Sequence, residues 1–188
     1  HRWERAGGYE VQVRRGFVRL RRLTLSRSTG QPVLDFRFPP DDLQHISRSI
    51  FGCFERCLYG LQKFDSDTER RLAVLLDRDT LRWFRPAAGQ FDITYRWQGE
   101  LHDYRPDFVA ETESRILMLE TKARGDLEDP QVQAKRVAAE HWCERATAVG
   151  AAHGAKPWAY ALIPHDLVKD NMAVDGLVDA SVGSPGDP

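Results

Sequence analysis

The stretch that decides the fold is Tyr104-Arg105-Pro106-Asp107-Phe108-Val109-Ala110, a polar connection Glu111-Thr112-Glu113-Ser114, and Arg115-Ile116-Leu117-Met118-Leu119-Glu120-Thr121-Lys122. Two apolar runs flanking a short polar segment predict an antiparallel hairpin. A turn centred between Glu113 and Ser114 sets Asp107 opposite Glu120 and Phe108 opposite Leu119. Opposed residues point to the same face, and successive residues alternate. Asp107, Glu120 and Lys122 therefore converge on one face, while Phe108, Ala110, Leu117 and Leu119 go to the other. One face is charged and the other greasy.

Working outward, the chain downstream predicts a helix from about Asp129 to Ala146, with Val132, Val137, Ala138 and Trp142 inward. A last strand at Trp158–Ile163 is closed by Pro164. Upstream, Leu81–Arg85 and Phe91–Trp97 read as strands. The Ser66-Asp67-Thr68-Glu69 capping box before them opens a helix with Leu72, Ala73, Leu75 and Leu76 inward. Pro39-Pro40-Asp41-Asp42 is a helix-start signal. Leu43, Ile46, Ile50, Phe54, Cys57 and Leu61 then recur at helical steps, predicting an amphipathic helix to about Leu61. Segment 9–25 alternates as two short strands turning near Gly16. The sequence of elements is helix, three or four strands, helix, strand, which places the fold in the α/β class with a mixed sheet flanked by helices. Residues 1–62 read as an N-terminal extension of basic strands plus a helix, 63–166 as the core, and 167–188 as a flexible acidic tail.

Composition bounds the function. With 41% hydrophobic and 10% aromatic residues the 188-residue chain can bury a core, which argues against wholesale disorder. Lys+Arg 27 against Asp+Glu 28 leaves a net charge of −1, so any nucleic-acid partner must meet a local basic patch. Arg2, Arg5, Arg14, Arg15, Arg19, Arg21, Arg22 and Arg27 crowd the opening. They suit a phosphate backbone, and equally the outer face of a hairpin docked on another domain. No apolar run reaches the ~20 residues of a membrane span and no signal-peptide pattern opens the chain, so it reads as soluble. Cys53, Cys57 and Cys143 form neither a disulfide set nor a zinc constellation, which predicts free thiols in a reducing cytoplasm. A chain that opens on His1 rather than Met suggests a piece of a longer protein. No Gly-x-Ser-x-Gly or His-Glu-x-x-His pattern points to another hydrolase.

The charged face carries the chemistry. Two carboxylates about 5 Å apart repel by roughly 3 kcal/mol at an effective dielectric near 20. Lys122 offsets part of that, and a cation offsets more. Hard oxygen ligands on two strands, with the Thr121 backbone carbonyl between them, suit Mg²⁺. Such an ion polarises a phosphoryl oxygen and acidifies bound water, with Lys122 left to orient that water or stabilise charge on phosphorus.

Pro106-Asp107 followed by Glu120-Thr121-Lys122 resembles the PD-(D/E)XK nuclease signature. The flanks extend the likeness: Phe64-Asp65-Ser66-Asp67-Thr68-Glu69, Trp83 with Arg85-Pro86, Lys135-x2-Ala138-Ala139-x2-Trp142-Cys143, and Lys156-Pro157-Trp158-x-Tyr160-x-Leu162-Ile163-Pro164. Across about residues 50–166 these are similar to the C-terminal nuclease region of type III restriction enzyme Res subunits and related DEAD/DEAH-box helicases. The resemblance implies a restriction-endonuclease-like αβββαβ core and a Mg²⁺-dependent endonuclease acting on DNA, with Mn²⁺ as a substitute. It implies Asp107, Glu120, Thr121 and Glu69 at the metal, Lys122 as the catalytic lysine, and Lys135, Arg105 and Arg124 toward DNA. It also implies a helicase motor in the parent chain and a methyltransferase partner. No G-x-x-x-x-G-K-[ST] phosphate loop occurs here, so the motor is not in this stretch.

Plainer readings stand beside each residue. The triad also fits a solvated strand face with a Glu-Lys pair. Glu69 is what a capping box requires three residues after Ser66. Lys135 also fits a surface lysine, and Trp83, Trp142 and Trp158 fit core positions. His102 is either a neighbour of the metal or a loop histidine, and Cys53 with Cys57 makes a poor zinc site. Two other functions share the core signature: a non-cleaving DNA-binding or docking module, and a transposon-end or Holliday-junction nuclease.

Overall fold

The computed structural model describes residues 30–87, 89 and 91–182, so the basic segment 9–25 lies outside the described residues. In chain order the elements are β1 (Val33–Asp35), a 3-10 turn at Leu43–Arg48, β2 (Ile50–Gly52), α1 (Asp67–Asp79), β3 (Arg82–Phe84), β4 (Ile93–Trp97), β5 (Glu100–Tyr104), β6 (Phe108–Glu111), β7 (Ile116–Lys122), α2 (Pro130–Ala151), β8 (Trp158–Pro164) and α3 (Val174–Val182). Four strands make a mixed sheet in the order β3-β6-β7-β8. The first three are antiparallel, and β8 runs parallel to β7. A parallel neighbour needs a crossover, and α2 provides it. No helix among the described residues is long and apolar enough to cross a membrane.

The β6–β7 register pairs Phe108 with Leu119 and Ala110 with Leu117, as the hairpin arithmetic predicts. Alternation then sorts the core into two layers. Phe108, Ala110, Leu117, Leu119, Ala161 and Ile163 pack with Leu72 and Leu76 of α1 and Leu177 of α3. Met118, Tyr160 and Leu162 face Ala138, Ala139 and Trp142 of α2 and Ile93 and Tyr95 of β4. Each fully buried Leu, Ile or Phe contributes about 1.5–3 kcal/mol against exposure, so both layers hold the sheet in place. The helices start where their caps dictate. Ser66 accepts the Glu69 N–H at 3.2 Å. Asp129 accepts from Gln131 and Val132, with Pro130 in the first turn where its missing N–H costs nothing.

Five expectations are corrected. The amphipathic helix expected to run from Leu43 to about Leu61 is a six-residue 3-10 turn followed by β2, which pairs in parallel with β1. Gly52 suits this pairing: a Cβ there would lie 2.8 Å from Val33 Cγ1, so a larger residue would force that side chain to shift. The next residue, Cys53, has φ +69, which no α-helix runs through, and Leu43 at the start of the apolar spacing is exposed.

The strand expected over Tyr104–Ala110 is two strands. Tyr104 ends the β4–β5 hairpin, and the chain crosses Arg105-Pro106-Asp107 before β6 begins. Pro106 has no N–H to give a ladder. The helix expected to end near Ala146 runs on to Ala151, and its Val137 points outward, 43% exposed.

The tail expected to be frayed forms α3 over 174–182. Its Val174, Leu177 and Val178 are spaced for one face and are buried. Likewise residues 33–64 do not pack apart. Phe36, Ile46 and Phe51 share a core with Phe64, Trp83 and Phe108.

Candidate functional site

The site lies where the β6–β7 ladder stops. The Thr121 N–H falls just past the last backbone pair, and the Asp107 carboxylate takes it instead, at 2.9 Å. The same oxygen, Oδ2, accepts the Thr121 hydroxyl at 3.1 Å. Two donors on one oxygen fix the carboxyl group and leave Oδ1 uncommitted by these bonds. Thr121 is itself buried.

Glu120 sits opposite on β7, 8% exposed. The Tyr104 hydroxyl donates to its Oε2 at 3.2 Å, and Lys122 Nζ stands 3.9 Å from its Oε1. Tyr160 on β8 is buried beside them, close enough for Glu120 and Tyr104 to act on its hydroxyl. Burial pushes the Glu120 carboxyl up to about 8, and the Asp107 charge adds to the rise. Lys122, the Tyr104 hydrogen bond and Lys135 pull the other way. Burial likewise raises the Tyr104 and Tyr160 hydroxyls, so both stay protonated, and Tyr104 keeps the hydrogen it donates.

Glu69, 6% exposed on α1, approaches from the other layer. Burial raises its carboxyl to about 7; Arg85 opposes the rise and Asp107 reinforces it. Its Oε2 accepts the Asp65 N–H at 2.8 Å and pairs with Arg85 at 2.8 Å. Asp107 thus stands electrostatically between two buried glutamates. Such an assembly favours either bound protons or a cation.

Lys135, on α2, is half-buried and close enough for its charge to act on Glu120. Arg105 is exposed beside the buried Pro106. Arg124 is exposed too, with its guanidinium forked onto Asp166, closest at 2.8 Å. The structure thus brings Asp107, Glu120, Thr121, Lys122 and Lys135 together. Glu69 comes to the same region but not into a ligand group: among the described residues no three His, Cys, Asp or Glu side chains are grouped to hold a metal ion. His102 stacks on the Tyr95 ring, centroids 5.6 Å apart, in the β4–β5 hairpin. Trp83 and Trp142 are buried as core, Trp158 packs against it, and the three cysteines are free thiols.

Sequence reasoning missed three members. Tyr104 and Tyr160 sat in quoted motifs without a role. The available signal was a phenol in an otherwise aliphatic strand, Ala159-Tyr160-Ala161-Leu162, since a buried hydroxyl requires a partner. Arg85 stands in the quoted Trp83, Arg85-Pro86 flank without a role, and nothing local announces its reach to α1. Comparison of the chain with protein-family models, with curated proteins and with solved structures finds no match.

Proposed function

We propose that this chain is a Mg²⁺-dependent endonuclease domain of the PD-(D/E)XK type that hydrolyses DNA phosphodiester bonds. The observation that carries the reading is the meeting of Asp107, Glu120 and Lys122 at the open end of one hairpin, with Glu120 buried and its charge poorly compensated. The order α1-β3-β6-β7-α2-β8, with the β4–β5 hairpin inserted, supports a restriction-endonuclease-like αβββαβ core.

The donor set fits a hard divalent ion: one Asp107 oxygen unclaimed by Thr121, and a Glu120 carboxylate whose desolvation a cation relieves. Asp107 and Glu120 would hold Mg²⁺, which would supply Lewis acidity toward a phosphoryl oxygen and toward water. The protein's own groups do the rest. Thr121 orients Asp107, Tyr104 orients Glu120, and the Lys122 ammonium steers the attacking water and stabilises charge developing on the phosphate. Lys135 and Arg105 line the approach for the DNA backbone, with Arg124 joining once its Asp166 pair opens. The resemblance supports a setting in which a helicase motor of a longer chain, with a methyltransferase partner, delivers DNA to this domain in a restriction or defence system of the cytoplasm.

The test is nicking of supercoiled plasmid. With Mg²⁺ or Mn²⁺ the protein converts plasmid to open circles, a chelator stops it, and Glu120→Ala brings it to background. Equal cleavage by Glu120→Ala overturns the assignment. One observation favours a second reading, a DNA-docking module without cleavage. Arg85 pairs with Glu69, and among the described residues no three carboxylate, His or Cys side chains are grouped to hold an ion. Plasmid binding with no metal-dependent nicking at any Mn²⁺ concentration selects that reading.

A further inference from the structure

We infer that Arg85 is a positioning residue that withholds Glu69 from the ion and anchors the turn carrying Asp107, leaving a two-carboxylate centre for a single divalent cation. The inference rests on the nuclease reading above and deepens it.

Arg85 leaves the end of β3 and touches three separate parts of the chain. Its guanidinium donates to the Lys63 carbonyl and to Asp65 Oδ2 at 3.2 Å, both just ahead of α1. It pairs with Glu69 Oε2 at 2.8 Å within α1. It also donates to the Asp107 carbonyl at 3.4 Å, just ahead of β6. The Phe64 and Phe108 rings lie 5.6 and 5.4 Å from its central carbon and wall it in. A planar fork with five donors suits this multiple tie, where a lysine point charge does not. With only 15% of its side chain exposed, it is held rather than resting on the surface.

Two consequences follow for metal binding. Glu69 Oε2 already carries the guanidinium and the Asp65 N–H, which holds the carboxylate in place and sets a cation directly against it. An ion drawn to Glu69 would also meet the fixed positive charge of Arg85, whereas one between Asp107 and Glu120 meets the longer Lys122 contact of 3.9 Å. The resemblance alone puts Glu69 on the metal; the guanidinium argues that it is spoken for.

The test is Mn²⁺ binding to the whole chain without DNA, followed by electron paramagnetic resonance. The parent is expected to bind one ion, and Glu69→Gln to bind it with affinity within about threefold, below the 10- to 100-fold typical of disturbing a metal's supporting groups. Arg85→Met frees a third carboxylate and raises Mn²⁺ affinity by about tenfold or adds a second ion, and Glu69→Gln in that background removes the gain. A loss of about tenfold or more in Glu69→Gln alone makes Glu69 a ligand and overturns the inference, while the nuclease reading survives. Unchanged affinity in a folded Arg85→Met also overturns it. Should Arg85→Met fail to fold, the Glu69→Gln result decides by itself. No Mn²⁺ binding by the parent sinks both this inference and the metal-dependent reading beneath it.

Discussion

Two buried glutamates flank Asp107 and are treated differently by the protein. Glu69 is closed by a guanidinium at 2.8 Å and a backbone N–H. Glu120 has a neutral phenol at 3.2 Å and an ammonium only at 3.9 Å. Both lie under hydrophobic layers, and burial raises both carboxyls, to about 7 and about 8. One side therefore holds a close ion pair, and the other a carboxylate whose nearest cation stands farther off. Under the proposed function, the contrast separates a carboxylate that would build the site from one that would work in it.

The sharpest way to break the comparison is to remove Arg85. Breaking a buried pair by deleting one partner leaves the other charge uncompensated, so Arg85→Met should cost about 3 kcal/mol or more in urea unfolding at pH 8. Glu69→Gln in the same background should recover part of it. A loss no greater than that of an exposed pair, under about 1 kcal/mol, would show that the guanidinium is not holding Glu69.

A second test uses pH without metal. Glu120 keeps its proton in the folded protein up to about 8, against an ordinary value of 4.5. The folded state then binds more protons than the unfolded one, and stability falls as pH rises through that window. Melting temperature should therefore decline between about pH 5 and 8, and Glu120→Gln should flatten the decline. Glu69 contributes in the same direction up to about 7. A Glu120→Gln variant with the parent's slope would remove Glu120 as the origin. The smallest effect is expected from Tyr104→Phe, which deletes one hydroxyl. It should weaken Mn²⁺ binding by about tenfold, with a stability change of about 1 kcal/mol. Unaltered Mn²⁺ affinity would mean that the phenol does not position Glu120.

How far these features are legible in the sequence depends on their range. The β6–β7 register follows from a polar turn and period-two alternation over sixteen or so neighbouring residues, and it fixes Asp107 opposite Glu120 before any coordinates. The Ser66 cap and α1 are legible for the same local reason. The helix expected at 43–61 fails because Leu43, Ile46, Ile50 and Phe54 satisfy helical spacing, while Ile50-Phe51-Gly52 answers to a distant strand at Val33–Asp35. Gly52 is the clue, a glycine in mid-pattern that signals close backbone approach. The buried face of α3 was overlooked because its three apolar residues stand among five aspartates and a Gly-Pro ending. The Arg85–Glu69 pair joins residues on separate elements, and only packing brings them together.

The last rung of the β6–β7 ladder is supplied by a side chain, and this governs how an inactive protein is best made. In Asp107→Ala the buried Thr121 amide would be orphaned, at a cost of about 1–3 kcal/mol that mixes structural damage with lost chemistry. Asp107→Asn keeps an oxygen for that amide while discarding the charge. On the proposed function it is the substitution that would silence the centre and leave the end of the sheet stitched.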